Sequence, residues 1–192
     1  EQQNQFESMK RWPDLIGRIR RRAELVEDVE ARKDLHLQAG ALFLEKFNNQ
    51  AEAIKSYEAV LECDEYDPTA ISKLKELYQR RRDWEKMLSV QQKELSLIED
   101  PEERKAQLLE VARVAGQKIK KPAISIELWS QVLESDPDNV EALENLESMQ
   151  EREKDWDALS KTLERLIEVT VDDTKKSQYL VKLGLLYADK VN

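Results

Sequence analysis

The sequence predicts an all-α fold, an α-solenoid of antiparallel helix pairs, and three observations predict it. Trp12, Trp84 and Trp156 fall at one spacing of 72 residues. Laying the chain over itself at that spacing brings its apolar residues into register without a gap. Ile54 falls on Ile126, Tyr57 on Trp129, Val60 on Val132, Leu61 on Leu133 and Leu74 on Leu146. Charged residues make up 37% of the 192, against only 4 Gly and 5 Pro, which suits long amphipathic helices better than sheets with Gly-marked turns. A fixed period of this kind marks a repeat array, in which each unit buries its apolar face against the next.

The prolines punctuate the chain. Asp67-Pro68, Asp100-Pro101 and Asp136-Pro137 each place an acceptor side chain before a proline, and an apolar-periodic stretch follows. Asp then caps free N–H groups while Pro takes the first helical position at no hydrogen-bond cost. Pro13 and Pro122 are expected to open two other helices. Apolar spacings place helices near 13–26, 29–47, 50–63, 68–82, 84–98, 101–119, 122–135, 137–152, 156–170 and 173–191. Residues 1–10, where only Phe6 and Met9 are apolar, read as the end of a preceding helix. Short connections force neighbouring helices antiparallel. Two helices then make a unit of about 36 residues, and the longer period is two slightly different units alternating. The expectation is a single array over 1–192, with units near 1–28, 29–66, 67–100, 101–136, 137–172 and a partial 173–192. With Glu1 first and no initiator methionine, the chain reads as a piece of something longer.

Composition removes several function classes. The formal net charge is -9, and an acidic surface repels phosphate backbones and anionic lipid, so neither nucleic acid nor membrane is the expected partner. No apolar run reaches the roughly 18 residues of a membrane span. The one cysteine, Cys63, cannot form an internal disulfide. His36 is the only histidine and sits among Leu35, Leu37, Ala39 and Gly40, as a packing or surface histidine would. Neither residue has a catalytic neighbour in sequence, and no His/Cys spacing suits a metal. Acidic clusters at Asp64-Glu65 with Asp67, and at Glu99-Asp100 with Glu102-Glu103, lack the Gly of a calcium loop and read as helix-start charges. No Gly-rich phosphate loop is present. The reading is no enzyme, no metal and no cofactor.

The three periodic tryptophans share the phase of the repeat, which favours core packing over a ligand-stacking role. On that reading Trp84→Ala or Trp156→Ala costs about 3–5 kcal/mol. Basic runs stand at Arg18 with Arg20-Arg21-Arg22, at Arg80-Arg81-Arg82 and at Lys118 with Lys120-Lys121. The latter two end their helices, where cations complement the dipole. One period beyond Arg80-Arg81-Arg82 stands the mixed run Arg152-Glu153-Lys154, so no continuous basic stripe is expected.

These residues resemble the tetratricopeptide repeat family. The unit around 33–65 carries Gly40, Phe43, Ala53, Ile54, Tyr57 and Leu61, and the stretch 50–61 is its strongest match. The unit two units on keeps Ala112, Ala115, Ile126, Trp129 and Leu133 before Asp136-Pro137. The alternate units depart from the pattern. Lys75 and Glu147 stand where the family has a small residue, Gln91 and Leu163 replace its aromatic, and Trp84 and Trp156 open the second helix. The half-a-tetratricopeptide repeats of RNA-processing proteins are a minor alternative.

The resemblance implies a right-handed α-solenoid of about ten helices, and a non-enzymatic scaffold that binds a partner protein segment in the concave groove. The first helix of each pair lines that groove. Its positions fall on Gln38, then Lys73, Glu76 and Arg80, then Glu110, Arg113 and Gln117, then Asn145 and Arg152. A carboxylate clamp of paired Lys and Asn is incomplete here, because Glu76 follows Lys73 and Glu110 and Glu144 add acid. A longer, partly basic or amphipathic segment is the expected ligand. The alternative is structural self-association, with a homodimer through the last helix, which carries Tyr179, Leu180, Leu183, Leu185, Leu186 and Tyr187. An all-helical toroid enzyme would need long acidic or His-bearing loops, and the connections are too short to supply them.

Overall fold

A computed structural model describes the backbone of residues 2–191 and the side chains of residues 11–189. Among the described residues there are ten helices and no strand. They form two compact units, one ending at Leu97 and one beginning at Ile98. The first unit holds α1 (Gln2–Leu25), α2 (Val29–Phe47), α3 (Gln50–Cys63), α4 (Pro68–Arg81) and α5 (Trp84–Leu97). The second holds α6 (Pro101–Lys118), α7 (Pro122–Ser135), α8 (Val140–Glu153), α9 (Trp156–Val169) and α10 (Asp173–Val191).

Side-chain caps start most of these helices. Asp67 accepts a hydrogen bond from the Ala70 amide at 2.8 Å, and Asp100 accepts one from Glu102 at 3.1 Å. Two further caps follow the period: Asp28 accepts from Glu30 at 3.3 Å, and Asp172 accepts from Thr174 at 2.8 Å. Asp28, Asp100 and Asp172 stand one period apart. Four residues into α2 and α6, Arg32 and Arg104 reach back to the carbonyls of Val26 and Ile98 at 2.9 and 3.0 Å, closing the entering chain onto the helix.

Two expected boundaries move. α8 opens at Val140, because Asn139 and not Asp136 caps it, through the Ala142 amide at 2.9 Å. Asp136 instead ends α7 and accepts a bond from the Asn139 side-chain amide. The sequence offers two acceptors there, and the one in register with Asp67 takes the cap. Pro13 does not open a helix but lies inside α1. Trp12 precedes it, so the side-chain acceptor that starts a helix at Pro68 or Pro101 is missing.

Helix ends are marked by left-handed residues. Asn48, Arg82 and Lys154 have φ of 48°, 57° and 60°, and Arg82 and Lys154 again lie one period apart. The turn after α4 is closed by the Asp83 amide bonding the Tyr78 carbonyl at 2.9 Å, and Asp155 repeats this on Gln150 at 2.9 Å after α8. These are the paired bonds of a Schellman ending, made without glycine.

The core of the first unit is built from Ala53, Tyr57, Val60, Ile71, Leu74 and Leu77, each almost wholly buried. In the second, Ala112, Ala115, Leu128, Trp129, Leu159, Leu163 and Leu166 do the same. Each such Leu contributes roughly 1.5–3 kcal/mol by leaving water. α2 and α3 approach closely where Gly40 lies against the Tyr57 ring. In the second unit, a Cβ on Gly116 would meet Trp129 Nε1 at an ordinary 3.6 Å.

The tryptophan expectation is corrected. Trp129 is buried at 1% exposure, whereas Trp12 and Trp84 are half-buried and Trp156 is 40% exposed. Trp84 and Trp156 are the first residues of α5 and α9, where a side chain lies over the preceding turn rather than between two helices.

Lys75 and Glu147, the departures from the small-residue position, are tolerated because each is ion-paired. Lys75 reaches both oxygens of Glu94 on α5, at 2.7 and 2.5 Å, and Glu147 meets Lys182 of α10. Across α3, α4 and α5, the Tyr78 hydroxyl and the Lys86 ammonium both donate to one oxygen of Glu58, at 2.6 and 2.8 Å.

Candidate functional site

The first helices of the pairs carry the residues singled out for partner contact. In the first unit, Gln38 on α2 and Lys73, Glu76 and Arg80 on α4 are all exposed. Steps of three and four put Lys73, Glu76 and Arg80 on one side of α4. Glu76 and Arg80 pair with each other. Lys73 and Gln38 make no hydrogen bond to a described residue, so their donors remain open to a ligand.

In the second unit, Glu110 and Gln117 on α6 and Arg152 on α8 are exposed, while Arg113 and Asn145 are partly covered. Arg113 is committed internally. Its Nε and Nη2 donate to the two carboxylate oxygens of Glu141 on α8, at 2.7 and 2.6 Å, and its Nη1 meets Glu110. A fork-to-fork pair of this kind fixes the guanidinium in one plane. The Arg113 bond also holds the Glu141 carboxyl below the usual range. Asn145 donates to the Glu141 carbonyl at 2.8 Å. Gln117 and Arg152 hold no such bond.

Three carboxylates of α8, Glu144 among them, are paired with α10. Lys175 and the Tyr179 hydroxyl both donate to Glu144, at 2.7 and 2.9 Å, and Lys182 meets Glu147 and Glu151. The Lys175 hydrogen bond, joined by that of Tyr179, holds the Glu144 carboxyl below its ordinary value against the upward push of burial. Burial, with Glu144 as acceptor, pushes Tyr179 up to about 12. Glu144, Glu147 and Glu151 are therefore each matched by a cation of the same unit.

The residues named for self-association divide. Tyr179, Leu183 and Leu186 are half-buried, while Leu180 is 52% and Tyr187 44% exposed. The Tyr187 hydroxyl donates to Glu164 of α9 at 2.7 Å. Sequence reasoning missed Val181, which like Leu185 is 63% exposed and lines one shallow depression with it, Gln178, Ser177 and Thr174. Its spacing of four from Leu185 was the available signal.

His36 is half-buried; burial lowers its pKa, Glu62 opposes this, and Arg32 and Arg20 add to it. Cys63 is a free thiol. Among the described residues no group of three His, Cys, Asp or Glu side chains could hold a metal ion, and no helix is long and apolar enough to cross a membrane.

The sequence model of the tetratricopeptide repeat matches residues 70–105 and 142–177. The two windows begin one period apart, on α4 and on α8. Two stretches of the chain thus carry the sequence pattern of a tetratricopeptide repeat. The match falls on the alternate units, the ones whose second helix opens with Trp84 or Trp156, and not on the stretch 50–61. No curated protein matches the chain.

Solved structures with similar folds are the tetratricopeptide-repeat protein YrrB, described as having an unusual peptide-binding site (18% identity, TM-score 0.42, 82% of this chain and 77% of that one). PilF of Pseudomonas aeruginosa aligns at 14% identity with a TM-score of 0.45, over 97% of this chain and 87% of that one. MamA of Desulfovibrio magneticus RS-1 aligns at 15% and 0.41, over 82% and 85%. The repeats suggest a protein-interaction scaffold, the general role of tetratricopeptide-repeat chains, which are as a class non-enzymatic.

Proposed function

We propose that this chain binds a segment of a partner protein on the exposed side of its first helices. The observation that carries the reading is the family match on α4 and α8, whose exposed sides present Lys73, Glu76 and Arg80, and Asn145 and Arg152. Lys73, Gln38, Gln117 and Arg152 keep donors that no described residue uses, whereas Glu110, Glu144 and Arg113 are internally paired. The ligand this favours is a polar segment with acceptor groups, more than the basic one that uncancelled acid would select. A photo-crosslinking residue placed at Lys73 tests it, with one at Lys161 on α9 as control. The expected result is a partner adduct at Lys73, absent at Lys161 and lost when Arg80→Glu is added. Equal adducts at both positions would overturn the reading.

A second reading has its own observation. Val181 and Leu185 are exposed side by side on α10, and such apolar surface suits association between copies. Mass in solution across a concentration series decides it: a dimer abolished by Val181→Ser with Leu185→Ser supports it, and a monomer throughout removes it.

A further inference from the structure

The arginine-rich α1 presents two different faces. Ile16, Ile19 and Ala23 turn inward and are buried. Arg11, Leu15, Arg18, Arg22 and Leu25, stepping by four and three, share another side of the helix and are all exposed, Leu25 at 74%. Arg20 belongs to neither face: it pairs with Glu52 and stacks over Phe43 at 4.8 Å. Arg11, Arg18 and Arg22 have no ion pair with a described residue. Two adjoining depressions run along this stripe, one past Trp12 and Leu15 and the other past Leu25 and Val26.

The internal repeat shows what this face carries elsewhere. One period on, Leu15 and Arg18 correspond to Met87 and Val90 of α5, both buried. Two periods on, Leu15, Arg18 and Arg22 correspond to Leu159, Thr162 and Leu166 of α9, also buried. On α1 the same positions interleave arginine with leucine. An unpaired basic stripe with apolar anchors, on a chain of net charge -9, complements a ligand that brings carboxylates and aliphatic side chains at the same helical spacing. We propose that this face of α1 docks an acidic amphipathic helix of another protein, at a site separate from the first-helix surfaces.

Fluorescence anisotropy with a labelled synthetic helix of about 18 residues, Glu on one side and Leu on the other, tests the proposal on the full chain. The expected result is binding that weakens at least about tenfold in Arg18→Glu with Arg22→Glu, and severalfold in Leu25→Ser. Lys161→Glu leaves it unchanged. Arg18→Gln with Arg22→Gln, which adds no new charge, weakens it in the same direction. Polyglutamate of equal charge, lacking the leucines, binds at least about tenfold more weakly. No binding, equal binding of polyglutamate, or tighter binding to single-stranded RNA or phosphatidylserine vesicles would overturn the assignment. Because Lys73 is untouched, loss of the first-helix reading leaves this result intact.

Discussion

The ring of Tyr57 occupies the space in which a Cβ on Gly40 would stand: that atom would lie 2.8 Å from the ring Cζ and 3.0 Å from both Cε atoms. Tyr57 is 2% exposed, so its ring has little room to move. Gly40→Ala therefore destabilises by about 1–3 kcal/mol, the usual cost of forcing one methyl into a filled core. Gly184, two periods on, has nothing within 4 Å of such a Cβ. There the gain in helix propensity wins, and Gly184→Ala stabilises by up to about 1 kcal/mol. Denaturant midpoints of the two variants should shift in opposite directions.

Arg82 and Lys154 sit at φ of 57° and 60°, where an L side chain crowds the following carbonyl. Glycine escapes that strain, and because each turn is already closed by its backbone bonds, nothing else is lost. Arg82→Gly and Lys154→Gly should each raise stability by about 1 kcal/mol. Thermal unfolding of the single and double variants measures it. Unchanged or lower midpoints in both would show that the arginine and lysine side chains contribute more than the strain.

The tryptophans separate by burial. Trp129→Ala empties a site that is 1% exposed and should cost about 3–5 kcal/mol. Trp156 is 40% exposed, and Trp156→Ala should cost below about 1 kcal/mol. Urea unfolding of the two variants side by side is the check, and comparable losses would contradict the burial difference.

That difference shows how far the sequence could be read. A shared period reports that two residues occupy equivalent places, so most helix spans and the caps at Asp67 and Asp100 were legible from spacing and residue type. It does not report how deep those places lie, and a helix's first residue can keep the phase of the core while projecting past it, as Trp156 does. Where two cap acceptors stand three residues apart, at Asp136 and Asn139, composition alone could not choose, although register with Asp67 would have. The candidate surface was legible as positions but not as charge. Arg113 and Glu144 look available in sequence, and only the geometry shows Glu141, Lys175 and Tyr179 consuming them. Likewise, the run Arg20-Arg21-Arg22 splits because successive helical residues point about 100° apart.

Arg113 then yields a prediction that separates structure from binding. Its partners lie on α6 and α8, so Arg113→Glu sets three carboxylates, with Glu110 and Glu141, against one another. The unfolding midpoint should fall, and high salt should restore part of the loss by screening the repulsion. Lys73→Glu, with no internal partner, should leave the midpoint unchanged. An equal effect at both positions would mean that the pairing of Arg113 is not maintained in solution.

The Glu58 cluster makes stability depend on acid. Burial pushes the Glu58 carboxyl up, but the hydrogen bonds from Lys86 and Tyr78 outweigh it and leave the carboxyl below its ordinary value. A carboxyl depressed by folding binds its proton more readily in the unfolded chain. Its contribution is therefore fully present above the unfolded value and disappears as pH falls through the folded one. Glu58→Gln should accordingly be less stable than the parent at neutral pH, and the gap should close as pH drops below the carboxylate range. Unfolding midpoints of both proteins across an acid series measure the gap. A gap that stays constant with pH would assign the loss to packing around the Tyr78 ring rather than to the charge on Glu58.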